Sequence, residues 1–316
     1  MAVHRLFLAA SAGLVSALLA PAQSADIRVD VNLVRVVATV KDPAGQLVGS
    51  LPKDDFSVFD NGVPQQIAVF ERHTEQPLSV SLLIDISGST AKDLKYETES
   101  IGKFLRALFA EGNPKDSVAL YSFNYQVVKQ NHFTRNPLSI ERSLHSLHAE
   151  AGTSLYDAIY LTSQDLESRD GRRIMVIVTD GGDTTSTMDF HRALQAAQLA
   201  DAVIYPILVV PIANDAGRNV GGENALTTLS EGTGGHVFAP TLGSELDRAF
   251  SDLIRDLRTQ YLLAYYPRDT PVTKNRFHRL QVKVRNPQLR VLARNGYYGE
   301  ADSGSGNPSG GIVPGK

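Results

Sequence analysis

Hydrophobic and polar positions follow three successive rhythms along this chain. Val34, Val36, Ala38 and Val40 alternate with Arg35, Val37 and Thr39, a period of two carried mostly by β-branched side chains. That spacing predicts a strand. Asp42-Pro43-Ala44-Gly45 predicts a turn, and Phe56-Ser57-Val58-Phe59 a second strand. Asp60-Asn61-Gly62 is a strong hairpin signal, and Gln66 to Phe70 reads as the return strand. Residues 26–76 thus read as part of a small antiparallel β domain.

The rhythm changes at Pro77. Leu78 to Ile84 is a nearly continuous apolar run, as expected of a strand buried on both faces. Strand-like and helix-like segments then alternate. Helices are expected over Asp93–Phe109, Leu138–Leu147, Ser154–Leu166, Phe190–Ala200, Asn224–Glu231 and Ser244–Leu257. Strands are expected over Val118–Phe123, Ile174–Val178, Val203–Val210 and His236–Phe238. This order predicts an α/β, Rossmann-like domain over 77–258, a mostly parallel sheet with helices on both faces.

The third rhythm is β again. Tyr261 to Tyr266, Arg279 to Arg285 and Leu289 to Ala293 read as strands, with Leu280, Val282 and Val284 on one face of the second. A separate domain of about 40 residues would be marginal. Residues 259–300 are therefore expected to return and complete the N-terminal β domain. Residues 301–316 are rich in Gly, Ser and Pro and predict a disordered tail.

Composition narrows the classes. The chain has 316 residues, 42% hydrophobic and 21% charged, with a net charge of −3, which allows a sizeable core and gives no reason to expect nucleic acid. The absence of cysteine excludes disulfides, thiolate metal sites and a cysteine nucleophile. A basic start at His4 and Arg5, an apolar run from Leu6 to Ala20 and the small-residue site Ala20-Pro21-Ala22 predict a signal peptide over 1–22. That run is shorter than the roughly 20 residues a membrane helix needs. The expectation is an exported protein, periplasmic or extracellular, with no membrane span in the mature chain.

Candidate chemistry gathers where strands end. Asp85-Ile86-Ser87-Gly88-Ser89 follows the first buried strand, Gly152-Thr153-Ser154 precedes a helix, and Thr179-Asp180-Gly181 ends another strand. Open parallel sheets bind ligands at the carboxyl ends of their strands. Oxygen donors there suit a hard cation. Gly88 is expected to relax the turn so that both hydroxyls point inward.

These three motifs, in this order, resemble the metal-ion-dependent adhesion site of von Willebrand factor A domains. The resemblance spans about 77–258 and implies a Rossmann-like sheet carrying one divalent ion, Mg²⁺ or alternatively Mn²⁺ or Ca²⁺. It implies that Ser87 and Ser89 ligate the ion directly and Thr153 does so in a ligand-bound state. It implies that Asp85 and Asp180 bind directly or through water. The stretch Val36 to Phe70, Pro77-Leu78-Ser79-Val80, Tyr261 to Pro267 and Arg294-Asn295-Gly296-Tyr297-Tyr298 are similar to exported von Willebrand factor A-related proteins of acidobacteria. The implied partner is a protein offering an Asp or Glu carboxylate to the ion.

Blander readings stand beside these. Asp85 and Thr153 could each cap a helix. Asp157 sits where it favours a helix dipole, and Asp183 in Gly181-Gly182-Asp183 reads as a loop acid that could face a partner. Gly88, Ser154, Asp157, Gly181 and Asp183 are expected around the site rather than in it. His145 and His148 lack the carboxylate of a zinc motif. Tyr265-Tyr266 and Tyr297-Tyr298 fit strands with one ring buried and one exposed. Ser87 is not framed as G-x-S-x-G, no histidine is placed to activate it, and no phosphate loop occurs. The expectation is a non-enzymatic, metal-dependent binding or adhesion protein of the cell envelope. The alternatives are a scaffold with a stabilising metal and a metal-assisted hydrolase.

Overall fold

Four strands open the described chain: β1 (Val34–Lys41), β2 (Phe56–Asp60), β3 (Val63–Gln65) and β4 (Ile67–Arg72). The computed structural model describes residues 33–72, 75–90, 93–110, 112–209, 219–240, 244–270 and 277–299. The leader expected over 1–22 and the tail expected over 301–316 lie outside them, as do residues 26–32 and Val210. Asn61 and Gly62 both take positive φ, 49° and 83°, the geometry of a tight primed hairpin turn.

That turn corrects one expectation. The return strand is β3, which pairs Val58 with Gln65 and Asp60 with Val63, and not Gln66 to Phe70. β4 crosses to another sheet. The crossing is pinned at Gln65, whose buried amide donates to Arg268 O at 3.0 Å and accepts from Arg268 N at 2.9 Å.

The central sheet follows. Its strands are β5 (Leu78–Asp85), β6 (Ser117–Phe123), β7 (Val127–Thr134), β8 (Arg172–Thr179) and β9 (Ala202–Leu208), in the order β7-β6-β5-β8-β9. β5, β6, β8 and β9 are parallel, and β7 runs antiparallel at the edge. β7 has no clear apolar period because, as the edge strand, it is at most half-buried, and its Lys129 and Gln130 side chains pair with Asp165 and with Ser122 of β6. Every residue of β5 is buried, as its apolar run requires of a central strand.

Helices α1 (Leu94–Ala110), α2 (Pro137–His145) and α6 (Ser244–Thr259) share one core with Leu78, Val80, Leu82 and Ile84. Helices α3 (Leu155–Glu167), α4 (Phe190–Leu199) and α5 (Val220–Thr233) share the other with Leu83, Met175 and Ile177. The alternation along each strand thus feeds two faces. α5 extends beyond the expected 224–231, because Asn219 caps its start and Gly234, at φ 91°, ends it. His236 to Phe238 makes only a single bridge, Phe238 to Ile207.

The chain closes with β10 (Tyr261–Tyr265), β11 (Phe277–Val284), β12 (Arg290–Ala293) and β13 (Gly296–Tyr298). β1 lies between β10 and β12, and β2 between β11 and β3, so early and late segments interleave in two antiparallel sheets. Both sheets contribute to a third core around Val36, Val58, Leu263 and Tyr265. One residue, Gln260, separates α6 from β10. Its Nε2 donates to Thr39 Oγ1 at 3.0 Å and to Tyr205 Oη at 2.7 Å, joining the β layer to the central sheet.

The third core carries one buried charge. Asp60 is fully buried and accepts from the hydroxyls of Tyr265 and Tyr297, both at 2.8 Å, with His278 Nδ1 at 2.9 Å from its other oxygen. Tyr266, by contrast, is exposed. Removing the carboxylate strands two buried hydroxyls and a ring nitrogen. Asp60→Ala is expected to cost about 3–5 kcal/mol in urea unfolding, the range for breaking a buried pair; a loss below about 1 kcal/mol would show that this network does not hold the sheets.

Candidate metal centre

The strand order reverses around β5, whose successors run to β6 on one side and β8 on the other. Asp85 ends β5 at that switch point, the place where open parallel sheets bind their ligands. Its side chain is fully buried. Oδ1 accepts from Ser87 N at 2.8 Å and Oδ2 from Thr179 Oγ1 at 2.6 Å. Those donors are neutral. Burial, with the charge of Asp180 adding to it, pushes the Asp85 carboxyl up to about 6 despite the hydrogen bonds that pull it down.

The loop after β5 brings Ser87 Oγ within 3.0 Å of Ser89 Oγ. Ser87 is buried and Ser89 exposed, so the pair runs from the floor of the site to its mouth. Thr90 holds the loop by donating to Asp85 O and Ser87 O, both at 3.0 Å. The expectation for Gly88 is corrected: its φ is not positive and a Cβ there would meet nothing within 4 Å, so the side-chain bonds of Asp85 and Thr90 shape this turn.

Thr153 reaches the same edge through backbone pairing. Ser87 bridges Glu150, Glu150 N donates to Ile86 O at 2.9 Å, and Ser154 N donates to Asn124 O at 2.6 Å. Gly152 delivers Thr153 at φ 85°, with its α-carbon so close to Tyr125 that a Cβ would fall 2.9 Å from the tyrosine's own. Thr153 is buried; its N–H donates to Thr184 Oγ1 at 2.9 Å and its carbonyl accepts from Thr184 N at 2.8 Å. Asp180 follows β8 and is half-buried, and Gly181 turns the chain at φ 100°.

The surrounding residues have defined tasks. Ser154 Oγ lies 2.8 Å from Thr185 Oγ1. Asp157 accepts from Thr187 N and, at 2.7 Å, from Met188 N. Asp183 accepts from Tyr156 N at 3.2 Å, in the first turn of α3, and from Ser186 Oγ at 2.5 Å. Asp157 and Asp183 thus stitch the 183–188 loop to α3, and Asp183 is a bonded capping residue rather than a free loop acid. His145 and His148 are exposed, on and just after α2.

Glu97 went unnoticed in the sequence. It lies on the stripe of Leu94, Ile101, Phe104 and Leu108 that α1 turns inward, where an apolar residue belongs. It is 1% exposed and its Oε2 has no hydrogen-bond partner. Burial first, then the charges of Asp85, Asp93 and Asp180, push it up to about 8. A charged residue on an apolar helix stripe was the available signal. Thr179, the other unforeseen participant, sits inside the Thr179-Asp180-Gly181 motif already noted.

Among the described residues, no three His, Cys, Asp or Glu side chains gather to hold a metal by themselves. Any cation here would depend on hydroxyls. Residues 80–182 match the family model of the von Willebrand factor type A domain. The central sheet and its helices are a von Willebrand factor A fold, with an accessory antiparallel β region. Solved structures of similar fold include BatB from Bacteroides thetaiotaomicron, 19% identical, covering 57% of this chain and 98% of that one at a TM-score of 0.45. The von Willebrand factor domain of the type V pili tip protein Mfa5 from Porphyromonas gingivalis is 14% identical, covering 58% of this chain and 95% of that one, at 0.47. The PilB minor pilin from Streptococcus sanguinis is 15% identical, covering 58% and 62%, at 0.46. No curated protein matches this chain.

Glu97 generates a prediction. Its folded pKa lies above the unfolded value of 4.5, so the folded state holds the proton more tightly. Its burial is tolerated below about pH 4.5 and increasingly destabilises the protein as pH rises toward about 8. Glu97→Gln is expected to stabilise the metal-free protein by a few kcal/mol at pH 8 and to change little at pH 5. Urea unfolding at both pH values in EDTA measures this; equal effects at both would mean that Glu97 is not titrating inside the fold.

Proposed function

We propose that this protein is a non-enzymatic binding module that captures a protein partner at the cell envelope through a divalent cation, Mg²⁺ or a similar hard ion. One observation carries the reading. At the end of the central strand a buried carboxylate, Asp85, is held by two neutral donors beside a second acid, Asp180, with the Ser87 and Ser89 hydroxyls 3.0 Å apart next to them. A buried acid whose cost a neighbouring carboxylate adds to is relieved by a cation, and an all-oxygen donor set is what a hard cation prefers. The unpartnered Oε2 of buried Glu97 adds a third acid to the same field.

In this reading Ser87, Ser89 and Thr153 offer neutral oxygens, and Asp85 and Asp180 offer charge directly or through water. The bound ion would supply an incompletely neutralised positive charge that a partner's Asp or Glu carboxylate can meet. Thr179 and Ser87 N keep Asp85 aimed, so the chain orients its ligands before anything binds.

A second feature supports a protein partner. A groove of about 520 Å³ runs beside Thr153, lined by Tyr125, Val127, Ser154, Tyr160, Leu161 and Met188. Tyr125 and Leu161 are 52% and 45% exposed there. Large apolar side chains clustered in the open next to a polar site suit a partner's apolar side chain. The assignment to the envelope rests on the leader read from the sequence. Among the described residues no helix is long and apolar enough to cross a membrane.

Calorimetric titration of the mature protein with Mg²⁺ and Mn²⁺ tests the cation. One site is expected, weakened at least about tenfold in Ser87→Ala/Ser89→Ala, the scale of losing part of a ligand set. Binding that the double variant leaves unchanged would remove the site from these residues. Capture of an envelope protein should then vanish in EDTA, and should weaken in Leu161→Ser while that variant still binds the ion normally; capture that survives EDTA would overturn the metal-dependent reading.

A further inference from the structure

At the opposite edge of the central sheet, where β8 begins, the β layer meets the base of the α/β layer. A narrow cavity of about 40 Å³ lies in that seam. Four arginines line it, Arg35, Arg172, Arg173 and Arg294, against one carboxylate, Asp201. The two layers both contribute: Arg35 lies on β1 and Arg294 follows β12, whereas Arg172 and Arg173 open β8.

Arg172 is the telling member. It is 5% exposed. Its Nη1 donates to Leu257 O at 2.8 Å and its Nη2 to Gln260 Oε1, both neutral acceptors. Its Nε is buried and has no partner. The carboxylate whose field reaches it, Asp116, is already engaged by Leu78 N at 2.8 Å and by Arg258 Nη2 at 3.4 Å. Burial accordingly holds the Arg172 guanidinium below its usual range, down to about 10. Arg294 has a counter-charge but shares the orphaned Nε. Nη1 donates to Asp201 Oδ1 at 2.6 Å and Nη2 to Arg35 O, but its Nε is also buried without a partner.

A buried guanidinium that meets only neutral acceptors lacks the counter-charge that burial normally demands. Asp201 balances one of the four arginines at most. The cavity between them is too small for a nucleotide or a sugar acid. A water needs roughly 10–15 Å³ of such space, so there is room for one monatomic anion with a water or two.

We propose that this cavity is a binding site for a small inorganic anion of chloride size, held by Arg172 and Arg294, which fastens the β layer to the base of the central sheet. Arg35 and Arg173 supply further positive field. The site is separate from the Asp85 edge, at the other end of β8.

Thermal unfolding of the mature protein at constant ionic strength tests this, with chloride or bromide replacing gluconate, which the cavity cannot admit. EDTA is present throughout, so the cation site plays no part. The midpoint is expected to rise by about 2–4 °C and to saturate, as for a ligand that binds only the folded state. Arg294→Gln should lose that rise. Equal midpoints in chloride and gluconate, or the same rise in the variant, would overturn the proposal and leave the cavity to water. Crystals grown in bromide give an independent readout if the variant folds poorly. An anomalous peak between Arg172 and Arg294 is expected, and peaks on the outer surface alone would overturn it.

Discussion

A carboxylate at the end of a strand with no exposed residue sets the terms for this molecule. β5 is buried from Leu78 to Asp85, and Asp85 is fully buried with the rest. An acid there could not stay aimed by water alone. It is held by Ser87 N, in the next loop, and by Thr179 Oγ1, at the end of the neighbouring strand. The parallel register that sets Ile84 beside Val178 is what brings Thr179 within reach. The site therefore depends on the central sheet being in register, and the register depends on apolar runs that tolerate no slip.

The β layer depends on a different kind of joint. Its sheets interleave segments from both ends of the described chain, so the pairings between early and late strands close loops containing the whole α/β layer. Among the described residues, only the pairings of β1 with β10 and β12, of β4 with β10 and of β2 with β11 span that layer, and their long-range closure is entropically expensive and needs specific contacts to offset it. They are polar here. Gln260 contacts Thr39 and Tyr205 while accepting from Arg172, all in buried positions. A polar seam of this kind specifies one docking geometry, whereas an apolar one would allow several.

Most of the α/β layer was legible because its strands are short unbroken apolar runs between amphipathic helices. The motif residues were legible because they stand at the ends of those runs. What escaped did so for identifiable reasons. β7 is an edge strand, so Val127 to Thr134 carries neither a continuous apolar run nor a clean alternation. The hairpin after Asp60 was legible as a turn, but the true return strand is three residues long, and Pro64 within it conceals the pairing. Glu97 was hidden by its chemistry: a glutamate in an amphipathic helix reads as surface until its place on the Leu94–Ile101–Leu108 stripe is noticed. Asp183 was visible as an acid, but its bond to Tyr156 N joins segments 27 residues apart, which no local pattern encodes.

Three of the buried charged residues, Asp60, Asp85 and Arg172, invite comparison. Asp60 receives two tyrosine hydroxyls and a histidine nitrogen, and that network closes on itself. It has no unmet demand, and its role is to hold two sheets. Asp85 receives two neutral donors and faces Asp180, with Glu97 in the same field. Arg172 receives two neutral acceptors and keeps an unpartnered Nε among other arginines. Burial is costly for all three, but only the first is matched from within the chain. A fold can retain such a mismatch when something outside the chain completes it. The under-compensated acids lie at the carboxyl end of the sheet, below the exposed Ser89. The under-compensated base lies beside a narrow cavity in the seam, where a small ion fits. The signs and positions of the two deficits thus fit the proposed recognition role at one end of the sheet and the proposed structural role at the other.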